Sequence, residues 1–352
     1  MGKIEIMGLG AGDLEQLPYG VYSRLLAADF VHLRTKEHPV VENLKAAGVQ
    51  FESFDDIYES KDNFDDVYRQ IADQLLEKAK TQDLIYAVPG HPLVAEDSVK
   101  HLLENEAGIE VEIVGGKSFI DDFFQAVAID PIEGFQLVDG LTFHQDQLSL
   151  GNHLIIMQVF NEFVASDVKL KLMEKYPDEH QVALVDAAGT KMQKVTWCPL
   201  YEMDRLEGVH NLLSLYVPPL EKDERTKSFE LTQAYMDAIV EKDVWVQSQT
   251  HESLLPYLKE ECEEVAEAIQ NDDIDNLIEE LGDILLQVFY HASFGEREGF
   301  FTMEDILETL NKKLRRRHPH VFDGVKADTI EEIDKMWQAI KAKEKGNSDE
   351  TR

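Results

Sequence analysis

Strand-like runs alternate with helix-period stretches as far as residue 217, and from Ser228 onward the strands stop. "KIEIMGLG", "FVHLRT", "LIYAVPG" and "VEIVGG" read as buried strands, and "FDDVYRQIADQLLEKAK" between them carries apolar residues at helical spacing. That rhythm points to βαβ units, hence a mainly parallel sheet faced by helices. "HLIIMQVF", "QVALVDA", "KVTWCPL" and "NLLSLYV" then predict a second, smaller α/β lobe. "PPLEKDERTKS" breaks the pattern with two prolines and a charge run, as a linker does. Beyond it, "FELTQAYMDAIVEKD", "HESLLPYLKEECEEVAEAIQ", "DIDNLIEELGDILLQVFYHASF", "MEDILETLNKKLRRR" and "IEEIDKMWQAIKAKEK" are all helical in period. A chain of 352 residues exceeds one ordinary core. We therefore expect two domains, a two-lobed α/β domain over residues 1–220 and an all-α domain over 225–345, with "GNSDETR" as a frayed polar tail.

Charge narrows the function. A net charge of −35 argues against nonspecific nucleic-acid binding, which needs stripes of Lys and Arg. It leaves room for divalent cations and for small anions held by local basic clusters. No apolar run is long enough to span a membrane, and "MGKIEIMGLG" lacks the basic and apolar regions of a signal peptide. Cys198 and Cys262 offer neither a disulfide framework nor zinc spacing. We expect a cytoplasmic protein without nucleic-acid or membrane partners.

The densest chemistry lies in "EECEEVAEAIQNDDIDNLIEELGD", residues 260–283. At about 100° per residue, Leu254, Leu258, Val265 and Ile269 make one apolar stripe, with Glu261 inside it and Glu264 at its edge. Glu263 and Glu267 fall on the opposite, solvated side. In the next helix the stripe is Ile274, Ile278, Leu281, Leu285, Val288 and Ala292, flanked by Glu280, with Asp283 three residues on. Residues 271–273 make a turn, so the helices should pack antiparallel and bring the two acid pairs together. A buried unpaired carboxylate neutralises itself or finds a cation. Four oxygen donors suit Mg²⁺ or Mn²⁺, and the missing Glu-x-x-His pairs disfavour iron. Cys262 reads as a small core residue. Downstream, "NKKLRRRHPH" supplies a basic cluster suited to a polyphosphate.

Glu-Glu-x-x-Glu, a helical hairpin and Glu-x-x-Asp, with "QTHESLLPYLKEE" before and "KLRRRHPHVF" and "WQAIK" after, together resemble the MazG nucleotide pyrophosphohydrolase family over residues 225–345. The resemblance implies an all-α domain, completed as a homodimer or higher oligomer, that cleaves nucleoside triphosphates to monophosphate and pyrophosphate. It implies Glu261, Glu264, Glu280 and Asp283 as ligands of Mg²⁺ or Mn²⁺, and Glu260 as an acid that positions or activates water. Lys313, Arg316, Arg317 and Lys341 would hold phosphates, and Trp245 and Trp337 would contact the nucleotide. In the family pattern Asp and Lys follow the tryptophan, but here Val246 and Gln247 follow Trp245.

In the first half, "GLGAGD" sets Gly8, Gly10 and Gly12 after a strand. The third glycine comes one residue too early for a dinucleotide fingerprint, and Pro18 stands where its helix would start. "YAVPGHPLVAEDSV" and "VEIVGGKSFIDDFF" repeat the strand–loop–helix design, and loops at strand ends are where α/β sheets bind ligands. In order, these loops resemble the tetrapyrrole methylases, which are class III S-adenosylmethionine methyltransferases, over residues 1–220. The resemblance implies a methyl-donor cleft lined by Gly8, Gly10, Gly90, Pro92, Leu93, Ser118, Phe119, Gln158 and Ala187, and a small-molecule acceptor. Ala11 replaces the family's proline in the first loop and His91 its acid in the second. We read His91, His144, His153 and His180 as structural. Three readings follow. The first is a pyrophosphohydrolase whose N-terminal domain binds S-adenosylmethionine or a relative. The alternative is a methyltransferase whose helical domain assembles the protein or senses nucleotides. The third is a non-catalytic nucleotide sensor.

Overall fold

A computed structural model describes residues 2–59, 63–205 and 213–349. Two compact units meet at the Arg225/Thr226 junction, and each is described by itself.

The first unit holds two five-stranded sheets. The first sheet comprises β1 (Lys3–Gly8), β2 (Val31–Leu33), β3 (Phe51–Ser53), β4 (Leu84–Val88) and β5 (Glu110–Gly115), ordered β3-β2-β4-β1-β5 and parallel throughout. Its helices are α1 (Tyr19–Ala27), α2 (Pro39–Ala46), α3 (Asp55–Glu59), α4 (Phe64–Ala79), α5 (Asp97–Leu103) and α6 (Phe119–Val127). Alternation along β1 sends Ile4 and Ile6 into one core with Ile71 and Leu75 of α4. Met7 enters the other, with Leu25 of α1 and Leu44 of α2. Both faces are therefore covered, as parallel sheets require.

The second sheet comprises β6 (Phe135–Asp139), β7 (His153–Met157), β8 (Gln181–Asp186), β9 (Lys194–Pro199) and β10 (Leu213–Val217), ordered β6-β7-β10-β8-β9. Only its β6–β7 pair is parallel. One face packs on α7 (Glu162–Met173), through Val168 and Leu172, and the other on Phe123 of α6. The second lobe equals the first in strand number but has one α-helix, α7, among its described residues. β3 and β6 went unread because one is three residues long and the other begins with an exposed Phe135. The Asn211 and Leu212 end of the predicted last strand lies outside the described residues.

The second unit is all helix: α8 (Phe229–Lys242), α9 (Val244–Gln247), α10 (Leu255–Gln270), α11 (Ile274–Glu298), α12 (Met303–Arg317), α13 (Pro319–Phe322) and α14 (Ile330–Asp349). Asp273 caps α11 by accepting from the Asn276 N–H, and Asp272 adopts a left-handed φ of 54°. The Asn271–Asp273 turn thereby folds α11 back onto α10. Its core joins Met236, Phe289, Ala292 and Met303, and a neighbouring cluster joins Val246, Leu254 and Phe294. α14 runs to Asp349, through residues expected to fray.

The three glycine loops of the first sheet tolerate no side chain at their closest point. A Cβ on Gly8 would lie 2.3 Å from the Gly90 carbonyl oxygen and 2.9 Å from Cα of Gly116. We predict that Gly8→Ala forces these strands apart and destabilises the first unit by about 1–3 kcal/mol. In urea unfolding of the whole chain, the first unit's transition should move to lower urea while the second stays put.

Candidate functional site

The two acid pairs do meet. Carboxylate oxygens of Glu261, Glu264 and Glu280 lie within 4.8 Å of one another, two from α10 and one from α11. Asp283 is close enough to repel both Glu261 and Glu280, and Glu264 shares a hydrogen bond with Glu280. Glu260 is exposed beside Glu261. Burial lifts the Glu261 carboxyl above its ordinary range, and Asp283, Glu264, Glu280 and Glu260 add to the effect. Burial likewise lifts Glu280, followed by the charges of Glu264 and Asp283.

The faces differ from those expected. Glu280, at 9% exposure, is the most enclosed of the acids, whereas Glu261 and Glu264 are half-buried. α11 packs on α10 through the face bearing Glu280; the first four residues of its predicted apolar stripe point elsewhere, while Val288 and Ala292 join the core as expected. Ile274, Ile278, Leu281 and Leu285 are 46–66% exposed, as is Ile269 of α10. Cys262 is exposed and is no core residue.

The donor set suits a hard divalent cation: three converging carboxylates, a fourth nearby, and no sulfur or imidazole among them. Among the described residues no cation pairs with these acids. Lys313, Arg316, Arg317 and Lys341 make no ion pair with them. Arg316 and Arg317 instead both grip Glu344 of α14 at 2.6 Å, a partner that sequence reasoning missed. The two guanidinium groups hold that carboxyl down at about 2. Lys341 lies 5.9 Å from the ring centre of Trp337, whose indole N–H is buried without a partner. His318 meets Trp337 edge-on. Trp245, 46% exposed, leans edge-on against Tyr257 and Tyr290. Asp243 fixes its helix by accepting from the Trp245 N–H at 2.7 Å.

In the first unit the glycine loops close on each other. Gly10 and Gly90, at φ of 74° and 66°, exchange two backbone hydrogen bonds. Pro92 is buried beneath them, Leu93 is exposed, and His91 accepts from the Leu93 N–H. Ser118 caps α6, and Phe119 packs on the second sheet's core. Gln158 and Ala187, at the ends of β7 and β8, adopt left-handed φ of 62° and 48°, conformations that non-glycine residues take at a cost. Gln16 reaches from the first lobe to the Gly189 carbonyl beside Ala187, and Asp13 pairs with Lys191 at 2.8 Å. No hydrogen bond among the described residues ties the Gln158 side chain to the glycine loops. Two bracing groups went unread. His38 donates from Nε2 to the Gly10 carbonyl at 2.8 Å, and Arg34 meets the buried Glu96 carboxylate at 3.0 Å.

Fold and site define the class: an α/β unit with a backbone-built loop cradle, joined to a helical unit whose acids converge. Comparison with known proteins then supplies the family. The tetrapyrrole (corrin/porphyrin) methylase family matches residues 3–204, and the chain belongs to it. The MazG nucleotide pyrophosphohydrolase domain matches residues 249–322. "Uncharacterized protein YabN" of Bacillus subtilis is 46% identical over 99% of this chain and 72% of its own length. The Thermotoga maritima "Nucleoside triphosphate pyrophosphohydrolase/pyrophosphatase MazG" is 52% identical over 31% of this chain and 41% of its own length. An Escherichia coli "Nucleoside triphosphate pyrophosphohydrolase" is 42% identical over 29% and 38% respectively. A solved uroporphyrin-III-C-methyltransferase from Thermus thermophilus is 21% identical and covers 62% of this chain and 94% of its own, with a TM-score of 0.49. No helix among the described residues is long and apolar enough to cross a membrane.

Acids whose folded proton affinity is raised favour folding at low pH, and that contribution is lost as pH rises through the raised values. With a chelator present, the second unit should therefore melt at progressively lower temperature as pH climbs from the ordinary glutamate value of 4.5 toward neutrality. Mg²⁺ should flatten that slope. Calorimetric scans across pH with and without Mg²⁺ check both.

Proposed function

We propose that the helical unit hydrolyses nucleoside triphosphates to monophosphate and pyrophosphate, with Mg²⁺ or Mn²⁺ held by Glu261, Glu264, Glu280 and Asp283. The observation carrying this reading is the set of three carboxylates from two helices within 4.8 Å. Once ionised, such a group repels itself unless a cation lies among its oxygens. When bound, the ion neutralises phosphate oxygens. In this reading Glu260, exposed beside Glu261, accepts a proton from the attacking water. Lys313, Arg316, Arg317 and Lys341 bind the β- and γ-phosphates and stabilise charge on the departing pyrophosphate. That role requires Arg316 and Arg317 to present the N–H groups that Glu344 leaves over. Trp245 and Trp337 contact the nucleoside.

The relatives named as pyrophosphohydrolases support the reading over the helical unit, which spans about two-fifths of their length. Membership of the methylase family supports S-adenosylmethionine, or a relative, as the ligand of the first unit's cradle, with a small-molecule methyl acceptor. We place the protein in the cytoplasm as a homodimer or higher homo-oligomer. The apolar stripe Ile274, Ile278, Leu281 and Leu285 is the face a second copy would cover.

Two outcomes are expected. Glu261→Gln should lower kcat for pyrophosphate release from nucleoside triphosphates by on the order of 10²-fold or more. It should leave the melting temperature in chelator unchanged or higher, because it removes one of several repelling charges. Wild-type protein that releases no pyrophosphate with Mg²⁺ overturns the assignment. Ile278→Glu, at a 66% exposed position, should shift the protein toward monomer in sedimentation equilibrium without unfolding it.

A further inference from the structure

Gln287 is an amide where a side chain of that kind is costly. It is 5% exposed, and its carbonyl oxygen is fully enclosed with no hydrogen-bond partner. An orphaned buried acceptor costs about 1–3 kcal/mol, so a leucine of similar volume would serve packing better. Its surroundings show what the amide is for. On α11 it lies one turn, about 6 Å, beyond Asp283, and two turns beyond Glu280 on nearly the same face. Across the seam, Glu261 meets Glu280 at one level, and His251 meets His291 at 2.7 Å at another. That antiparallel register sets Gln287 between them, at the level of the fully buried Leu254.

Aromatic rings gather at the same level. Tyr290 is three residues after Gln287, and Tyr257 is one turn before Glu261. Trp245 lies edge-on to both, at 5.9 Å from Tyr257 and 6.5 Å from Tyr290. Moving along α11 away from the acids, one passes from carboxylates to an unpartnered amide and then, three residues on, to Tyr290 of the ring cluster. A nucleotide has the same order of parts: phosphates, then a sugar that bridges roughly one helical turn (~6 Å), then a flat base with a hydrogen-bonding edge.

We propose that Gln287 is a specificity-determining residue: its amide reads the polar edge of the nucleobase while Trp245, backed by Tyr257 and Tyr290, supplies the stacking surface. The ligand class is a nucleoside triphosphate whose base offers a donor to the Gln287 carbonyl. The proposal rests on the acids binding the phosphates of that same nucleotide. A correct base satisfies the orphaned acceptor and a mismatched base leaves it unpaired, which separates bases more sharply than apolar shape does.

The test compares wild type, Gln287→Leu and Gln287→Glu. It measures kcat/KM for ATP, GTP, CTP and UTP with Mg²⁺, and the inhibition constant of inorganic tripolyphosphate, which has no base. In Gln287→Leu the kcat/KM ratio between the best and worst base should collapse by tenfold or more, with tripolyphosphate inhibition changed less than twofold. Gln287→Glu, which keeps an acceptor but loses the amide donor, should reorder the bases. A uniform loss across all four nucleotides, or a rise in melting temperature with the ratios intact, overturns the proposal, since Gln287 then acts on packing alone. If wild type cleaves none of them, the reading of the acids fails separately. Calorimetric binding of the four nucleotides then decides the amide: base-dependent affinity abolished in Gln287→Leu supports it, and base-independent or absent binding overturns it.

Discussion

Mutual repulsion among carboxylates in one helix seam is the constraint to which the second unit is built. Glu261, Glu264 and Glu280 approach one another although burial and charge both oppose their ionisation. A helical hairpin left to its own packing would fill that seam with leucine. The turn at Asn271–Asp273 fixes the register that forces the acids to face each other. The second half of α11, carrying Phe289, Ala292 and Phe294, anchors the hairpin in the core. The local cost is thus borne by packing elsewhere in the same helix. It is the usual mark of a site shaped for a ligand rather than for stability.

The first unit solves a different problem by backbone alone. Its cradle is formed where chains approach too closely for any Cβ, at Gly8 and Gly116, both crowded by the Gly90 carbonyl. Such a surface offers peptide N–H and carbonyl groups and almost no side-chain chemistry, so its shape has to be enforced from behind. His38 holds the Gly10 carbonyl, and Arg34 with Glu96 fixes the chain after the second loop. Burial raises Glu96, and Arg34 offsets part of that desolvation, which keeps the pair inside a loop where a lone acid would neutralise. Left-handed Gln158 and Ala187 show that strain continues into the second lobe.

Periodicity made most elements legible because β1, β4 and the long helices bury one or two faces continuously. It missed β3 and β6, which are short or half exposed, and it could not see that the second sheet is mixed, since strand direction leaves no trace in a single strand. The acids were legible as a set because Glu261 interrupts an apolar stripe. Which acid is most enclosed was not legible: α11 carries two usable faces, and periodicity favours the more apolar one. Over the first half of α11 the structure packs the other, so Glu280 is enclosed and Ile278 is exposed, while Ala292 of the predicted stripe enters the core further on. Arg316 and Arg317 read as phosphate ligands, whereas their pairing with Glu344 depends on how α14 folds back, a tertiary fact with no local signal. Gln287 escaped for a related reason. A single amide in a helix is unremarkable until its burial and its missing partner are known.

The exposed stripe and the acid cluster occupy the same stretch of α11, and that has a mechanical consequence. The buried residues of α11 are Glu280, Gln287, Phe289, Ala292, Phe294 and Gly295. All but Glu280 lie beyond Leu285, so the half of the helix that bears the acids has a carboxylate where an anchor belongs. Chelating geometry has to hold to a few tenths of an ångström, and a segment with no buried apolar side chain of its own is poorly placed to provide that. Burying Ile274, Ile278, Leu281 and Leu285 against a second copy would supply the missing anchor at the axial level of Glu280 and Asp283. On this view assembly and the proposed chemistry depend on one helix viewed from two sides. One side brings the acids together, and the other makes their positions rigid.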